Sequence, residues 1–153
     1  MKEVYILSGA VHSGKTTALL KWAAHTKGVY GIAAPVINGI RYLQNLNNSE
    51  KHQLETDHDS DDNIAIGNYL FSEEIFKWGR DVLLDSLDKN PEWLVIDEIG
   101  LLELSGRGLE PAVTKALKTE RKIKIILVIR QELVAEVIKY YGLDRQLIKE
   151  FRV

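Results

Sequence analysis

The sequence predicts an α/β three-layer sandwich with a mainly parallel sheet and one added antiparallel hairpin. Three observations carry this. The runs 4–7, 93–96 and 125–129 are short and apolar at both parities, as strands buried on both faces are. Stretches with apolar residues at helical spacing lie between those runs, as the crossovers of a parallel sheet require. Asn38-Gly39, the pair a type I′ turn prefers, stands between two strand-like runs.

The first strand, Val4, Tyr5, Ile6 and Leu7, stops at Gly9. Leu19, Leu20, Ala23 and Ala24 then mark a helix from Lys15 to about Thr26, with Gly28 as its stop. Residues 30–46 form the hairpin, and Pro35 removes a ladder donor from its first arm, which places that arm at an edge. Residues 55–63 are polar, acidic and aperiodic, and read as a mobile loop. Ser72 is a helix N-cap with Glu73 and Glu74 in the first turn; Ile75, Phe76, Val82, Leu83 and Leu87 give that helix one apolar face, ending before Pro91. The strand Trp93-Leu94-Val95-Ile96 follows. Leu109, Val113, Ala116 and Leu117 mark a helix with Pro111 in its first turn, and residues 125–129 are the most hydrophobic strand. Leu133, Val134, Val137 and Ile138 make the last clear helix, stopped near Gly142, and residues 147–153 alternate weakly as one more strand.

Size and charge bound the function. At 153 residues, 45% hydrophobic and 27% charged, the chain is expected to be one globular domain, residues 1–153. Twenty Lys and Arg against 22 Asp and Glu give a net charge of −2, so no global positive field draws nucleic acid or an anionic membrane, and neither is an expected partner. The absence of cysteine excludes disulfides, thiolate zinc sites and cysteine nucleophiles. The apolar stretch near the N-terminus is too short for a signal peptide, no run approaches the roughly 18 residues of a membrane span, and a cytoplasmic location is expected. Nothing in the sequence identifies a protein partner.

The chemistry concentrates at two places. Gly9-Ala10-Val11-His12-Ser13-Gly14-Lys15-Thr16, followed by Thr17, satisfies the phosphate-loop pattern. Backbone N–H groups wrap phosphates there, Lys15 reaches the β and γ groups, and the helix start turns its positive dipole end to the anion. Thr16 offers its hydroxyl to Mg²⁺. Asp97 and Glu98 follow directly on the strand at 93–96, at the end where open α/β sheets place ligands. Asp97 fits a partner of Mg²⁺, either in direct contact or through the metal's own ligands, and Glu98 is placed to orient or deprotonate a water for attack on the γ-phosphate. Arg130 ends the strand at 125–129, on the same sheet edge if that strand is parallel. It is read either as a cation meeting developing charge on the γ-phosphate or as a helix-start arginine paired with Glu132 or solvent.

Other candidates are weaker. Asp57, Asp59, Asp61 and Ile64 follow part of an EF-hand pattern, but Asp62 stands where glycine is needed and Asn68 where glutamate is needed. His25, His52 and His58 lack ligand spacing, His12 is expected to face solvent, and Trp22, Trp78 and Trp93 read as packing residues. Arg107, between Gly106 and Gly108, is read either as a cation that reaches phosphate or, by preference, as an exposed charge.

The phosphate loop, the hairpin at Asn38-Gly39, and Val95-Ile96-Asp97-Glu98-Ile99-Gly100 continued by Leu102-Glu103-Leu104 together resemble the cancer-related nucleoside-triphosphatase family of small P-loop NTPases. The match extends over nearly the whole chain, and Gly67-Asn68-Tyr69 is similar to the family's Gly-x-Tyr segment entering the next helix. Ala10, Val11 and His12 stand where members often carry Pro or Gly, and the chain is shorter after its last strong strand; both differences bear on substrate preference. The resemblance implies a RecA-like P-loop fold and Mg²⁺-dependent hydrolysis of nucleoside triphosphates to diphosphate and phosphate, with loose base selectivity. It implies phosphate and metal binding by Lys15 and Thr16, metal support by Asp97 and water activation by Glu98. Two other functions fit a phosphate loop: a small nucleotide or metabolite kinase, and a nucleotide-sensing module with negligible turnover. The stretch from Gln131 to Asp144 contains no arginine, which argues against a kinase lid. No Asn-Lys-x-Asp guanine motif is present, so the sequence names no preferred base.

Overall fold

The fold is that of a computed structural model, whose described residues are 2–9, 14–57 and 60–153. The chain runs β1 (Glu3–Gly9), α1 (Lys15–Ala24), β2 (Val29–Ala33), β3 (Val36–Ile37), β4 (Ile40–Asn45), β5 (Lys51–Gln53), β6 (Ile64–Ile66), β7 (Tyr69–Phe71) and α2 (Glu73–Leu87). It continues through β8 (Trp93–Ile99), α3 (Leu101–Leu104), α4 (Ala112–Leu117), β9 (Lys124–Arg130), a 3-10 turn (Gln131–Leu133), α5 (Val134–Tyr140) and β10 (Ile148–Glu150).

The main sheet has the order β10-β1-β9-β8-β2-β4-β3, with β5 added on β4. Every pair from β10 to β2 is parallel, and β4 is antiparallel to β2, β3 and β5. This is the expected sandwich. On β9, Ile125, Leu127 and Ile129 pack with Phe76 and Leu83 of α2, Val113 and Ala116 of α4, and Val137 of α5. The alternate residues Ile126 and Val128 pack with Leu19 of α1, Val95 and Phe151 on the opposite face. Full burial of one such side chain contributes about 1.5–3 kcal/mol, so the central strands anchor both helical layers. Tyr5, Trp22, Trp93 and Phe151 form an aromatic cluster of tilted and edge-on contacts, and Trp78 packs on His52, as packing residues do.

The hairpin turns at Asn38 and Gly39, with φ of 52° and 79°, the two left-handed residues of a type I′ turn. Its first arm is divided. Pairings Ala33↔Gln44 and Val36↔Arg41 keep one register, but strand geometry lapses at Ala34 and Pro35, where proline has no N–H for the ladder. Ser72 caps α2 by accepting from the Ile75 amide at 3.3 Å. The segment 64–71 departs from expectation: in place of a lead-in to the helix, it forms a two-stranded hairpin, β6 with β7, turning at Gly67 and Asn68. Within 55–63, Glu55 bridges Phe71, while His58 and Asp59 lie outside the described residues. No helix among the described residues is long and apolar enough to cross a membrane.

Candidate active site

Parallel pairing brings the ends of β1, β8 and β9 to one edge of the sheet. Gly9 lies in register with Arg130, so the start of the phosphate loop and the end of β9 are neighbours. Ala10, Val11, His12 and Ser13 lie outside the described residues. Gly14 re-enters at φ 83° as the N-cap of α1, a conformation that favours glycine, and no side chain caps the helix there. The first-turn amides of α1, including those of Lys15, Thr16 and Thr17, therefore meet the requirements of an anion site. The Lys15 Nζ reaches back to the Gly9 carbonyl at 3.3 Å.

Asp97 faces α1 because of strand parity. Leu94 and Ile96 point to the α2–α4–α5 layer, so Val95 and Asp97 point to the α1 layer. There the Thr16 hydroxyl donates to Asp97 Oδ2 at 2.9 Å, and the Ala34 amide donates to the same oxygen at 3.1 Å. Asp97 is 1% exposed, and its Oδ1 has no hydrogen-bond partner among the described residues. Burial pushes its carboxyl up to about 6; the neighbouring Glu98 charge adds to this, while Ala34, Thr16 and Arg41 oppose it. A hydroxyl that donates to a carboxylate keeps its lone pairs for another partner, so Thr16 and Asp97 together present oxygen acceptors to a hard cation. These residues fit Mg²⁺. The described residues hold no cluster of three or more His, Asp or Glu that could hold a metal ion.

Glu98 is the extra residue of a bulge: Asp97 pairs with Val128 and Ile99 with Ile129, leaving Glu98 without a partner on β9. Its side chain turns to Arg130, whose Nε lies 3.8 Å from Glu98 Oε1. Arg130 is thus paired with Glu98 and not with Glu132. Both side chains keep some solvent access, 39% for Arg130 and 22% for Glu98.

Three supporting residues escaped the sequence reading. The Ala34 amide donates to Asp97, and the Arg41 guanidinium donates to the Ala34 carbonyl. Glu103, quoted only as part of a sequence block, closes the loop behind β8. Its Oε1 accepts from the Gly100 amide and its Oε2 from the Leu109 amide, each at 2.9 Å. A Cβ on Gly108 would stand 2.1 Å from Glu103 Oε2, and Gly108 has φ 63°, so glycine is required there twice over. Burial raises the Glu103 carboxyl to about 7 against the backbone amides of Leu109, Gly100 and Glu103, which hold it down. Arg107 in this loop is exposed.

The phosphate-loop sequence stands between β1 and α1, and paired acids end a central parallel strand, the arrangement of the P-loop nucleoside triphosphatases. A family model described as NTPase matches residues 4–149, and the chain belongs to that family. The fold is similar to the crystal structure of THEP1 from the hyperthermophile Aquifex aeolicus, at 19% identity and TM-score 0.75, covering 99% of this chain and 89% of that one. It is also similar to the solution structure of a human cancer-related nucleoside triphosphatase, at 21% identity and TM-score 0.69, covering 99% of this chain and 88% of that one. No curated protein matches the sequence.

Proposed function

We propose that the protein hydrolyses nucleoside 5′-triphosphates to diphosphate and phosphate in a Mg²⁺-dependent reaction with broad base selectivity. The observation that carries this reading is the Thr16–Asp97 pair with its buried oxygen, Asp97 Oδ1, which has no hydrogen-bond partner among the described residues. Gly9, Ala10, Val11, His12, Ser13, Gly14, Lys15, Thr16 and Thr17 form the phosphate cradle, and the Lys15 ammonium neutralises the β and γ groups. Thr16 and Asp97 would hold Mg²⁺, which would supply positive charge to offset the triphosphate's. Glu98 orients a water and takes its proton as the water oxygen bonds to the γ-phosphorus. The bond from that phosphorus to the bridging β–γ oxygen breaks, and the electron pair leaves with the diphosphate. Arg130, held beside Glu98, meets charge that grows on the γ-phosphoryl oxygens.

Base selectivity is broad in this reading because every assigned contact goes to phosphate or metal. The test is phosphate release from ATP, GTP, CTP, UTP and their deoxy forms, with Mg²⁺ and with chelator. Values of kcat/KM are expected to spread by less than about tenfold, or about 1.4 kcal/mol, and to collapse in chelator. A hundredfold preference for one base, or turnover that survives chelation, contradicts the reading. A parental rate at background, with nucleotide still bound, points to a nucleotide sensor.

A further inference from the structure

Ala34 spends both of its backbone polar groups on side chains from elsewhere in the chain. Its N–H donates to Asp97 Oδ2 at 3.1 Å, and its carbonyl accepts from the Arg41 guanidinium Nη1 at 3.1 Å. The residue is buried where the hairpin arm is interrupted before Pro35. A buried carbonyl without a donor is costly, so the guanidinium fixes this peptide segment as well as neutralising local charge.

Arg41 is itself anchored. Its N–H donates to Glu55 Oε1 at 2.9 Å, and its carbonyl accepts from the amides of Leu54 at 2.9 Å and Glu55 at 3.2 Å. The same segment joins β7, through the Glu55–Phe71 bridge and the Thr56 amide, which donates to the Leu70 carbonyl at 2.9 Å. A continuous line of hydrogen bonds thus runs from Glu55 through Arg41 and Ala34 to Asp97 and Thr16.

We propose that Arg41 is a positioning residue for the metal site: by holding the Ala34 carbonyl it keeps the Ala34 amide on Asp97 Oδ2, which leaves Oδ1 turned to the cation. This rests on the Mg²⁺ reading of Thr16 and Asp97 given above. Arg41 makes no contact with metal or substrate in this account; it acts through Ala34. Outer partners that orient ligating carboxylates typically contribute about 10- to 100-fold to metal affinity, which sets the expected effect. A plain structural brace differs in its signature, since its loss lowers melting temperature and leaves the metal dependence unchanged.

The test is Mn²⁺ binding, followed by electron paramagnetic resonance, to the full chain carrying adenosine 5′-(β,γ-imido)triphosphate. Parent, Arg41→Gln and Arg41→Lys are compared, with melting temperature and metal-free analogue affinity measured alongside. Arg41→Gln is expected to weaken Mn²⁺ binding by about 10-fold or more while metal-free analogue affinity stays within about threefold. Parental Mn²⁺ affinity in a folded Arg41→Gln protein overturns the proposal and leaves the metal reading intact. A parent that takes up no Mn²⁺ beside the analogue overturns the metal reading itself, and the proposal with it. If Arg41→Gln does not fold, Arg41→Lys decides, because it keeps the positive charge and removes the Nη1 donor on the Ala34 carbonyl: a loss of about threefold or more supports the proposal, and parental affinity overturns it.

Discussion

Thr16 Oγ1 donates to Asp97 Oδ2 at 2.9 Å, joining the first turn of α1 to the end of β8 across 81 residues of sequence. The contact exists because parity puts Asp97 on the α1 face and the parallel sheet puts both strand ends at one edge. It connects the half of the site assigned to phosphate with the acid-bearing half.

Lys15→Ala tests the phosphate half. The substitution removes the ammonium assigned to the β and γ phosphates, and a hydrogen bond to a charged group contributes about 1.5–3 kcal/mol, so triphosphate binding is expected to weaken by about tenfold or more. Turnover should be nearly abolished. Isothermal titration with a non-hydrolysable analogue and phosphate release measure both, and hydrolysis within about threefold of the parent removes the loop from its assigned role.

Arg130→Ala separates transition-state from ground-state contacts. Arg130 stands at the end of β9 beside both Gly9 and Glu98, and a cation that meets charge chiefly in the transition state affects kcat more than KM. A fall in kcat of about 10²-fold with KM changed by less than about threefold is the expected result in steady-state kinetics. Unchanged kcat would reduce Arg130 to an ion-pair partner of Glu98.

Glu103→Gln tests the loop behind the acids through pH. The carboxyl titrates near 4.5 when unfolded and near 7 when folded, so the folded chain holds the extra proton between those values. Its contribution to stability is full below about pH 4.5 and is lost as pH rises through about 7. Asp97 acts with the same sign up to about pH 6. Urea unfolding between pH 5 and pH 7.5 is expected to show a shallower pH dependence in Glu103→Gln than in the parent. The variant should also be less stable by about 1–3 kcal/mol, because one amide N–H₂ must face a backbone N–H. An identical pH dependence in both proteins contradicts this account of Glu103.

Much of this architecture was legible because its causes are local. Apolar runs at both parities identified β1, β8 and β9, Asn38-Gly39 announced its turn, and Ser72 announced the start of α2. Asp97 and Glu98 were placed at the sheet edge by the end of an apolar run. The bulge that separates their directions was not visible, since an unpaired residue in β8 depends on the register of β9. Ala34 carries no side-chain signal, and Arg41 in a hairpin arm looks like any exposed strand cation; only the folded backbone shows that they meet Asp97. The β6–β7 hairpin was missed because three-residue strands are too short for periodicity to register.

The most direct test of NTP hydrolysis at this site is multiple-turnover phosphate release by the parent and by Glu98→Gln, at saturating triphosphate and Mg²⁺. Glutamine preserves the shape and can still hydrogen-bond water, but it cannot take the proton, while the proposed nucleotide and metal partners Lys15, Thr16 and Asp97 are left in place. The account predicts a fall in kcat of about 10²- to 10⁴-fold, the usual range for loss of a general base. Parental turnover in Glu98→Gln would contradict it and assign water activation to another group.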